Sequence, residues 1–239
     1  MALTIKLKSR KEVAAETMAF HFEKPRNFTF TPGQAGDFTL INPPEEDAEG
    51  NKRSFSLAGA PYEEDLIIAT RLRDTAFKRS LKKVPLGTEL TLDAPWGELV
   101  LHEDVAIPAV FLTGGIGITP VRSIVLQATR DKLPQKLVLF YSNHRPEDAA
   151  FLDELTAAQK ANSNFTLVAT MTKMERSAHP WHGETGFIDE AMLKRHLGDI
   201  HRPIYYISGP PAMVDAMQKI LGKAGVNTAN IRAEEFSGY

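Results

Sequence analysis

The apolar run Ala109-Val110-Phe111-Leu112-Thr113 stops at Gly114-Gly115-Ile116-Gly117-Ile118-Thr119-Pro120 and passes directly into a helical pattern. An apolar strand that ends in a glycine-rich turn and opens a helix is the start of a parallel α/β unit. Without Cβ atoms, Gly114, Gly115 and Gly117 let backbone N–H groups approach an anion, and the helix N-terminus behind them adds about half a positive charge. The turn therefore reads as a cradle for a nucleotide pyrophosphate. Its spacing is G-x-G-x-x-P instead of G-x-G-x-x-G, with Pro120 suited to a first helical turn and Thr119 to the N-cap. Turns of this kind also arise for packing alone.

The rest of the chain falls into two rhythms. Runs at 109–113, 137–142, 165–171, 204–208 and 231–235 alternate with helical stripes, and predict a parallel, Rossmann-like sheet. Val121, Ile124, Val125 and Ala128 form one stripe; Met213, Ala216, Met217, Ile220 and Leu221, ahead of a cap at Gly225, form another. Upstream, short alternating runs at 3–8, 17–23, 37–41, 54–58, 66–72, 89–92 and 98–101 predict an antiparallel sheet closed into a six-stranded barrel. Pro32-Gly33, Asn42-Pro43-Pro44, Gly59-Ala60-Pro61 and Pro95-Trp96-Gly97 supply turns. The acidic stretch 43–50 reads as a solvated loop. One helix, 75–83, interrupts the barrel with Asp74 or Thr75 as N-cap, and its amino end can hold a second phosphate. The expected class is all-β plus α/β, with domains 1–104 and 105–239.

Composition removes several functions. Lys and Arg number 28 against 30 Asp and Glu, so no global field points to nucleic acid or an anionic membrane. With no cysteine, the sequence holds neither a disulfide nor an iron–sulfur cluster on its own thiolates. The first eight residues alternate apolar and polar, and no window is long enough to span a bilayer, so the expected location is cytoplasmic. His179-Pro180-Trp181-His182 lacks a third ligand at a telling spacing, so no metal is expected. No Ser/His/Asp set points to hydrolysis.

Three further motifs carry a resemblance. Arg53-Ser54-Phe55-Ser56 resembles an R-x-Y-[ST] flavin motif, and Ser208-Gly209-Pro210-Pro211-Ala212-Met213 resembles C-G-P-x-x-M. The chain closes on Glu234-Glu235-Phe236-Ser237-Gly238-Tyr239, an acidic and aromatic ending. With the glycine turn between them, these motifs stand in the order of the ferredoxin–NADP reductase superfamily. The resemblance implies a flavin-binding barrel followed by an NAD(P)-binding domain. It implies Arg53 on the flavin pyrophosphate, Ser54 and Phe55 beside the flavin, and Ser56 near flavin N5. Thr75, Ala76, Phe77 and Lys78 would contact phosphate, with Arg71 and Arg73 as further cations.

On the nucleotide side, the resemblance places Thr113, Gly114, Gly115, Gly117, Thr119 and Pro120 at the pyrophosphate. It places Ser208, Gly209, Pro210 and Met213 near the nicotinamide, with Glu235 orienting the carboxamide or relaying a proton. Phe236 or Tyr239 would cover the flavin face. Ser142, His144 and Arg145, with Thr172, Lys173 and Arg176, are candidates for the ribose end, where NADH and NADPH differ. Three departures stand out: Phe55 replaces tyrosine, Ser208 replaces cysteine, and Thr75 to Lys78 lack the usual glycine and serine. The implied activity is hydride transfer from NADH or NADPH to FAD, with FMN as second choice, then electron transfer to an iron–sulfur or haem protein. A diaphorase, a ferric or free-flavin reductase, and a non-catalytic flavin- or nucleotide-binding module stay open beside it.

Overall fold

The computed structural model describes residues 2–236. Its chain divides into one unit of Met1–Val100 with Thr119–Gln127 and a second of Leu101–Ile118 with Ala128–Tyr239.

The first unit holds strands β1 (Leu3–Ala14), β2 (Thr17–Glu23), β3 (Ala35–Leu40), β4 (Lys52–Ser56) and β5 (Asp65–Arg71), helix α1 (Ala76–Lys83) and strand β6 (Glu89–Trp96). The order β4-β3-β6-β1-β2-β5 is antiparallel throughout. Beyond β4 the amides of Ala58 and Gly59 donate to the Ile67 carbonyl at 2.8 and 3.3 Å, which curls the sheet back onto β5. Alternation puts Ile5, Leu7, Phe20, Phe22, Phe38, Leu40, Leu90 and Leu92 inside, where Phe77 and Leu81 of α1 join them. Thr75 caps α1, its hydroxyl accepting from the Lys78 amide. At the other end Arg10 donates to the Leu81 and Val84 carbonyls, a cation where the helix dipole is negative.

Two expectations change here. The run 98–101 is not a strand: Leu99 is buried and its backbone passes so close to Gly33 that an added Cβ there would lie 3.1 Å from the Leu99 carbonyl carbon. Burial of an irregular segment made the apolar pattern. Strand β1 runs on to Ala14, because its pairing with β2 continues through irregularities at Leu7/Ser9 and Glu12/Ala14 that break the alternation.

The second unit begins with β7 (Ala109–Gly114) and a 3₁₀ turn at Gly115–Gly117. From there α2 (Ile118–Arg130) carries its middle, Thr119–Gln127, into the first unit. There follow β8 (Leu137–Asn143), α3 (Leu152–Ala161), β9 (Phe165–Met171), β10 (Glu184–Thr185), α4 (Glu190–Leu197), β11 (Ile204–Gly209), α5 (Pro211–Lys223) and β12 (Ile231–Glu235). The sheet is parallel in the order β10-β9-β8-β7-β11-β12. Every residue of β7 is buried, as a central strand of such a sheet requires. Helix α2 starts at Ile118, so Thr119 is its second residue and not the N-cap, while Pro120 still sits in the first turn, where no intrahelical N–H is lost. The chain builds outward from β7 to β10 and then returns to β7's other side with β11. The strand order therefore reverses between β7 and β11, the switch point where open α/β sheets bind ligands.

Candidate functional site

At that switch point one register row crosses four strands: Tyr141 of β8, Thr113 of β7, Ser208 of β11 and Glu234 of β12. Neighbours in a row of a parallel sheet face the same way. The Tyr141 hydroxyl donates to the Gly115 and Ala150 carbonyls at 3.2 Å each, and the Ser208 hydroxyl to the Gly117 carbonyl at 2.8 Å. Both tie the 3₁₀ turn to the strands beside it. Thr113 is fully buried, and its hydroxyl has no partner among the described residues. A buried hydroxyl without a partner carries a desolvation cost that a bound polar group can remove. Glu234 is half-buried, and burial raises its carboxyl above the usual carboxylate range.

The glycines of the turn have separate reasons. Gly115 has φ +53°, a left-handed backbone that favours glycine. A Cβ on Gly117 would run into the Ser208 carbonyl, 2.6 Å from its carbon and 2.8 Å from Gly209 Cα. Gly117 thus serves backbone-to-backbone packing. A Cβ on Gly114 would meet the Met213 sulfur, and one on Gly209, which has φ +155°, would sit 3.2 Å from the Gly114 backbone. Pro210 precedes α5 as its N-cap. The structure so brings Thr113, the glycines, Ser208, Gly209, Pro210 and Met213 into one place.

Beyond the last strand, the Phe236 amide donates to the Gly209 carbonyl at 2.9 Å. Glu235 is exposed and, by strand alternation, faces away from Glu234; Glu234 is the acid in the row. Tyr239 lies outside the described residues.

At the carboxyl ends of β8 and β9, the His144 ring contacts the Thr172 hydroxyl at 2.9 Å and Lys173 Nζ at 3.4 Å. Arg145 forks onto Asp148 at 2.9 and 2.7 Å, and Asp148 is itself buried. Arg176 is exposed beside Glu175, and Ser142 is half-buried. Asn143, which motif reading passed over, is buried with its side-chain amide nitrogen unpartnered among the described residues.

In the first unit, Arg53, Phe55 and the start of α1 form a second cluster. The Phe55 ring lies between Phe38 and Phe77, with centroids 5.8 Å from each, and the Arg53 guanidinium lies 5.4 Å from the Phe77 centroid. Ser56 is buried at the end of β4. Ser54 falls on the outward face, donating to Asp37 at 2.6 Å beside Lys52, and does not join Arg53 and Phe55. Arg71 is half-buried on β5, opposite Thr17. The Lys78 ammonium is held below its ordinary range by burial first and then by the charges of Arg73 and Arg53. A desolvated ammonium near a helix N-terminus, with the Arg53 guanidinium close by, fits a phosphate.

The acidic loop 43–50 does not stand free in solvent. Glu45 pairs with Arg79 at 2.6 Å and Lys83 at 3.3 Å, and its carbonyl accepts from Ser80. Asp47 accepts the Ala76 amide at 3.0 Å and meets Arg53 at 3.1 Å. The basic face of α1 holds the loop down. Among the described residues no group of three or more His, Cys, Asp or Glu could hold a metal ion, and no helix is long and apolar enough to cross a membrane.

Residues 111–219 match the family model of the oxidoreductase NAD-binding domain. Reductase component 2 of terephthalate 1,2-dioxygenase from Comamonas sp. is 24% identical over 206 residues, which cover 85% of this chain and 59% of that protein. The chain thus spans less than two thirds of the length of this curated relative. The flavohem-like FAD/NAD-binding domain of nitric oxide dioxygenase from Vibrio cholerae superposes with a TM-score of 0.84 at 19% identity, covering 98% of both chains. A ferredoxin NADP+ reductase from Neisseria gonorrhoeae, solved with FAD and NADP bound, superposes with a TM-score of 0.79 at 23% identity, again over 98% of both. Residues 111–219 thus carry an oxidoreductase NAD-binding domain, and the chain shares the two-sheet fold of these FAD- and NAD(P)-binding neighbours.

Proposed function

We propose that this chain is an NAD(P)H-dependent flavoprotein reductase that binds FAD on its first unit and passes electrons to a separate iron–sulfur or haem protein. The observation that carries the reading is the row Tyr141–Thr113–Ser208–Glu234 at the switch point. It combines a shaped, nearly dry floor with an orphaned hydroxyl and an acid that keeps its proton to higher pH. Thr113 and Ser208 shape the nicotinamide pocket without a thiol, since hydride transfer asks for position and not for a protein nucleophile. Glu234, its carboxyl shifted upward by burial, is the acid of the row. Arg53, Lys78 and the first turn of α1 hold the flavin phosphates, and Ser56 is the hydroxyl beside the ring. Bound flavin supplies the conversion between two-electron donation and one-electron delivery.

NADH is the favoured donor, because Arg145 is engaged by Asp148 at the ribose end. The acceptor is read as a protein because the sequence has no cysteine for a cluster of its own and the Comamonas relative is named as a dioxygenase's reductase component. A cytoplasmic location agrees with a described chain that offers no membrane-crossing helix. The test is to take the purified protein's visible spectrum, identify the released flavin, and add NADH or NADPH without oxygen. Bleaching of one flavin per chain is expected. A colourless protein that refuses both FAD and FMN refutes the reading, and a flavin that neither nucleotide bleaches makes the chain a binding module.

A further inference from the structure

The loop 43–50 places a carboxylate where the first unit gathers its phosphate donors. Asp47 Oδ2 accepts the amide of Ala76, the first residue of α1, at 3.0 Å. Asp47 Oδ1 accepts from Arg53 Nη2 at 3.1 Å and from the Glu49 amide at 3.0 Å. A planar guanidinium and a helix N-terminal amide are the two donors a phosphate oxygen would take. Arg53 is engaged on its other side as well: Nη1 donates to the carbonyls of Glu49, Gly50 and Lys52 at 2.8 to 3.0 Å, and Nη2 lies 2.9 Å from the Glu49 carboxylate. All these partners belong to the loop or its hinge into β4. Glu45 anchors the loop's other end along α1 through Arg79, Lys83 and Ser80. The strap is therefore fixed at both ends, with its one bridging carboxylate on the helix terminus.

Resting on the flavin reading above, we propose that Asp47 is a built-in stand-in for the cofactor's phosphate, and that the strap 43–50 must release Ala76 and Arg53 before a flavin can load. In the strapped state the Asp47 carboxylate pairs with Arg53 and accepts the Ala76 amide, and on release it yields both to phosphate. The strapped state lowers the fraction of chains competent to bind, and apparent affinity falls by that fraction.

The experiment uses flavin-free full-length protein in three forms: the unaltered chain, Asp47→Asn and Asp47→Ala, with Glu46→Gln as a charge control in the same loop. FAD is titrated by its fluorescence, and inorganic pyrophosphate by the rise in Tm. A carboxylate contact at a helix N-terminus is worth about 0.5–2 kcal/mol, so Asp47→Ala should bind FAD roughly two- to thirtyfold more tightly, and Asp47→Asn, which keeps an acceptor for the Ala76 amide but loses the charge on Arg53, more tightly by a smaller factor. Glu46→Gln should change affinity less than about twofold. The flavin-free Tm should fall in Asp47→Ala, which loses the carboxylate on the Ala76 amide, while pyrophosphate should raise it more than in the unaltered chain. Weaker or unchanged FAD binding in both variants overturns the proposal, and weaker binding would make Asp47 a positioning residue for Arg53. If no form takes FAD yet pyrophosphate still stabilises the variants more, the strap stands and the flavin reading falls. If the unaltered chain takes FAD and neither probe separates the variants, the flavin reading stands and the strap falls.

Discussion

Gly117→Ala separates two reasons for a glycine in the turn after β7. The added Cβ would lie 2.6 Å from the Ser208 carbonyl carbon and 2.8 Å from Gly209 Cα, where ordinary contacts begin near 3.4 Å. Both neighbours are backbone, so no side chain can rotate away; the turn or β11 has to move by several tenths of an ångström. Overpacking of this kind costs about 1–3 kcal/mol. The same movement stretches the 2.8 Å bond from the Ser208 hydroxyl to the Gly117 carbonyl, worth about 1 kcal/mol. A loss near 3 kcal/mol lowers Tm by about 6–12 °C in a protein of this size. Two companions calibrate it in the same thermal melts. Gly114→Ala meets the flexible end of Met213 and should lose under about 1 kcal/mol, whereas Gly222→Ala in α5, with open space around it, should gain up to about 1 kcal/mol. A Gly117→Ala protein that melts within about 2 °C of the unaltered chain, or above Gly114→Ala, would refute the packing argument and leave anion approach as the reason for the glycine.

Thr113→Val keeps the shape of a buried side chain and removes its unpartnered hydroxyl; the variant should be about 1 kcal/mol more stable by thermal melt and bind NADH more weakly by fluorescence titration, and a less stable variant would show that the hydroxyl already has a partner. Burial raises the Glu234 carboxyl, so the unfolded chain loses that proton first: the stability Glu234 contributes is present below the unfolded-state pKa and is lost as pH rises through the folded one. Glu234→Gln cannot ionise, and its Tm relative to the unaltered chain should climb between pH 4 and pH 8; a gap that stays flat contradicts the burial. Arg122→Met removes a buried guanidinium that forks onto Glu63 at 2.9 and 3.1 Å and donates to the Ala58 carbonyl at 2.8 Å. It should cost about 3–5 kcal/mol in denaturant unfolding, partly recovered by adding Glu63→Gln, and a loss under about 1 kcal/mol would mean the pair is hydrated.

Much of the fold is legible in the sequence because its cores are written in two periods. Strands β9 and β12 fall on the predicted residues, and β7, β8 and β11 extend one residue past them; for the inner strands the reason is that burial on both faces gives continuous apolar runs with sharp ends, whereas β12 is an edge strand with no fully buried residue. The barrel is harder to read. Leu99 is apolar because it is buried in an irregular segment, and the exposed second half of β1 shows no alternation, since it is held by backbone pairing to β2 and not by a buried face. The two-residue β10 carries too few side chains to leave any pattern.

The site is legible to a different depth, because a motif names donors and cannot name what already holds them. Arg53 and Ser54 stand at motif positions and Arg145 among the ribose-end candidates, and each is met by an aspartate from its own unit: Asp47, Asp37 and Asp148. The three cases differ in consequence. Asp37 lies opposite Ser54 in the β3–β4 ladder and fixes it to the outward face, and Asp148 forks onto an arginine three residues away, a local pairing that spacing can suggest. Asp47 reaches Ala76 across 29 residues, and only the fold brings an acidic loop onto the amino end of a basic helix. Composition sees those acids as near neutrality, 30 against 28; the structure puts Asp47 and Asp148 on two arginines that the resemblance would give to phosphate. On the strap proposal, an anion site of this kind is defined as much by its competing carboxylates as by its donors, and its affinity follows from the difference between the two.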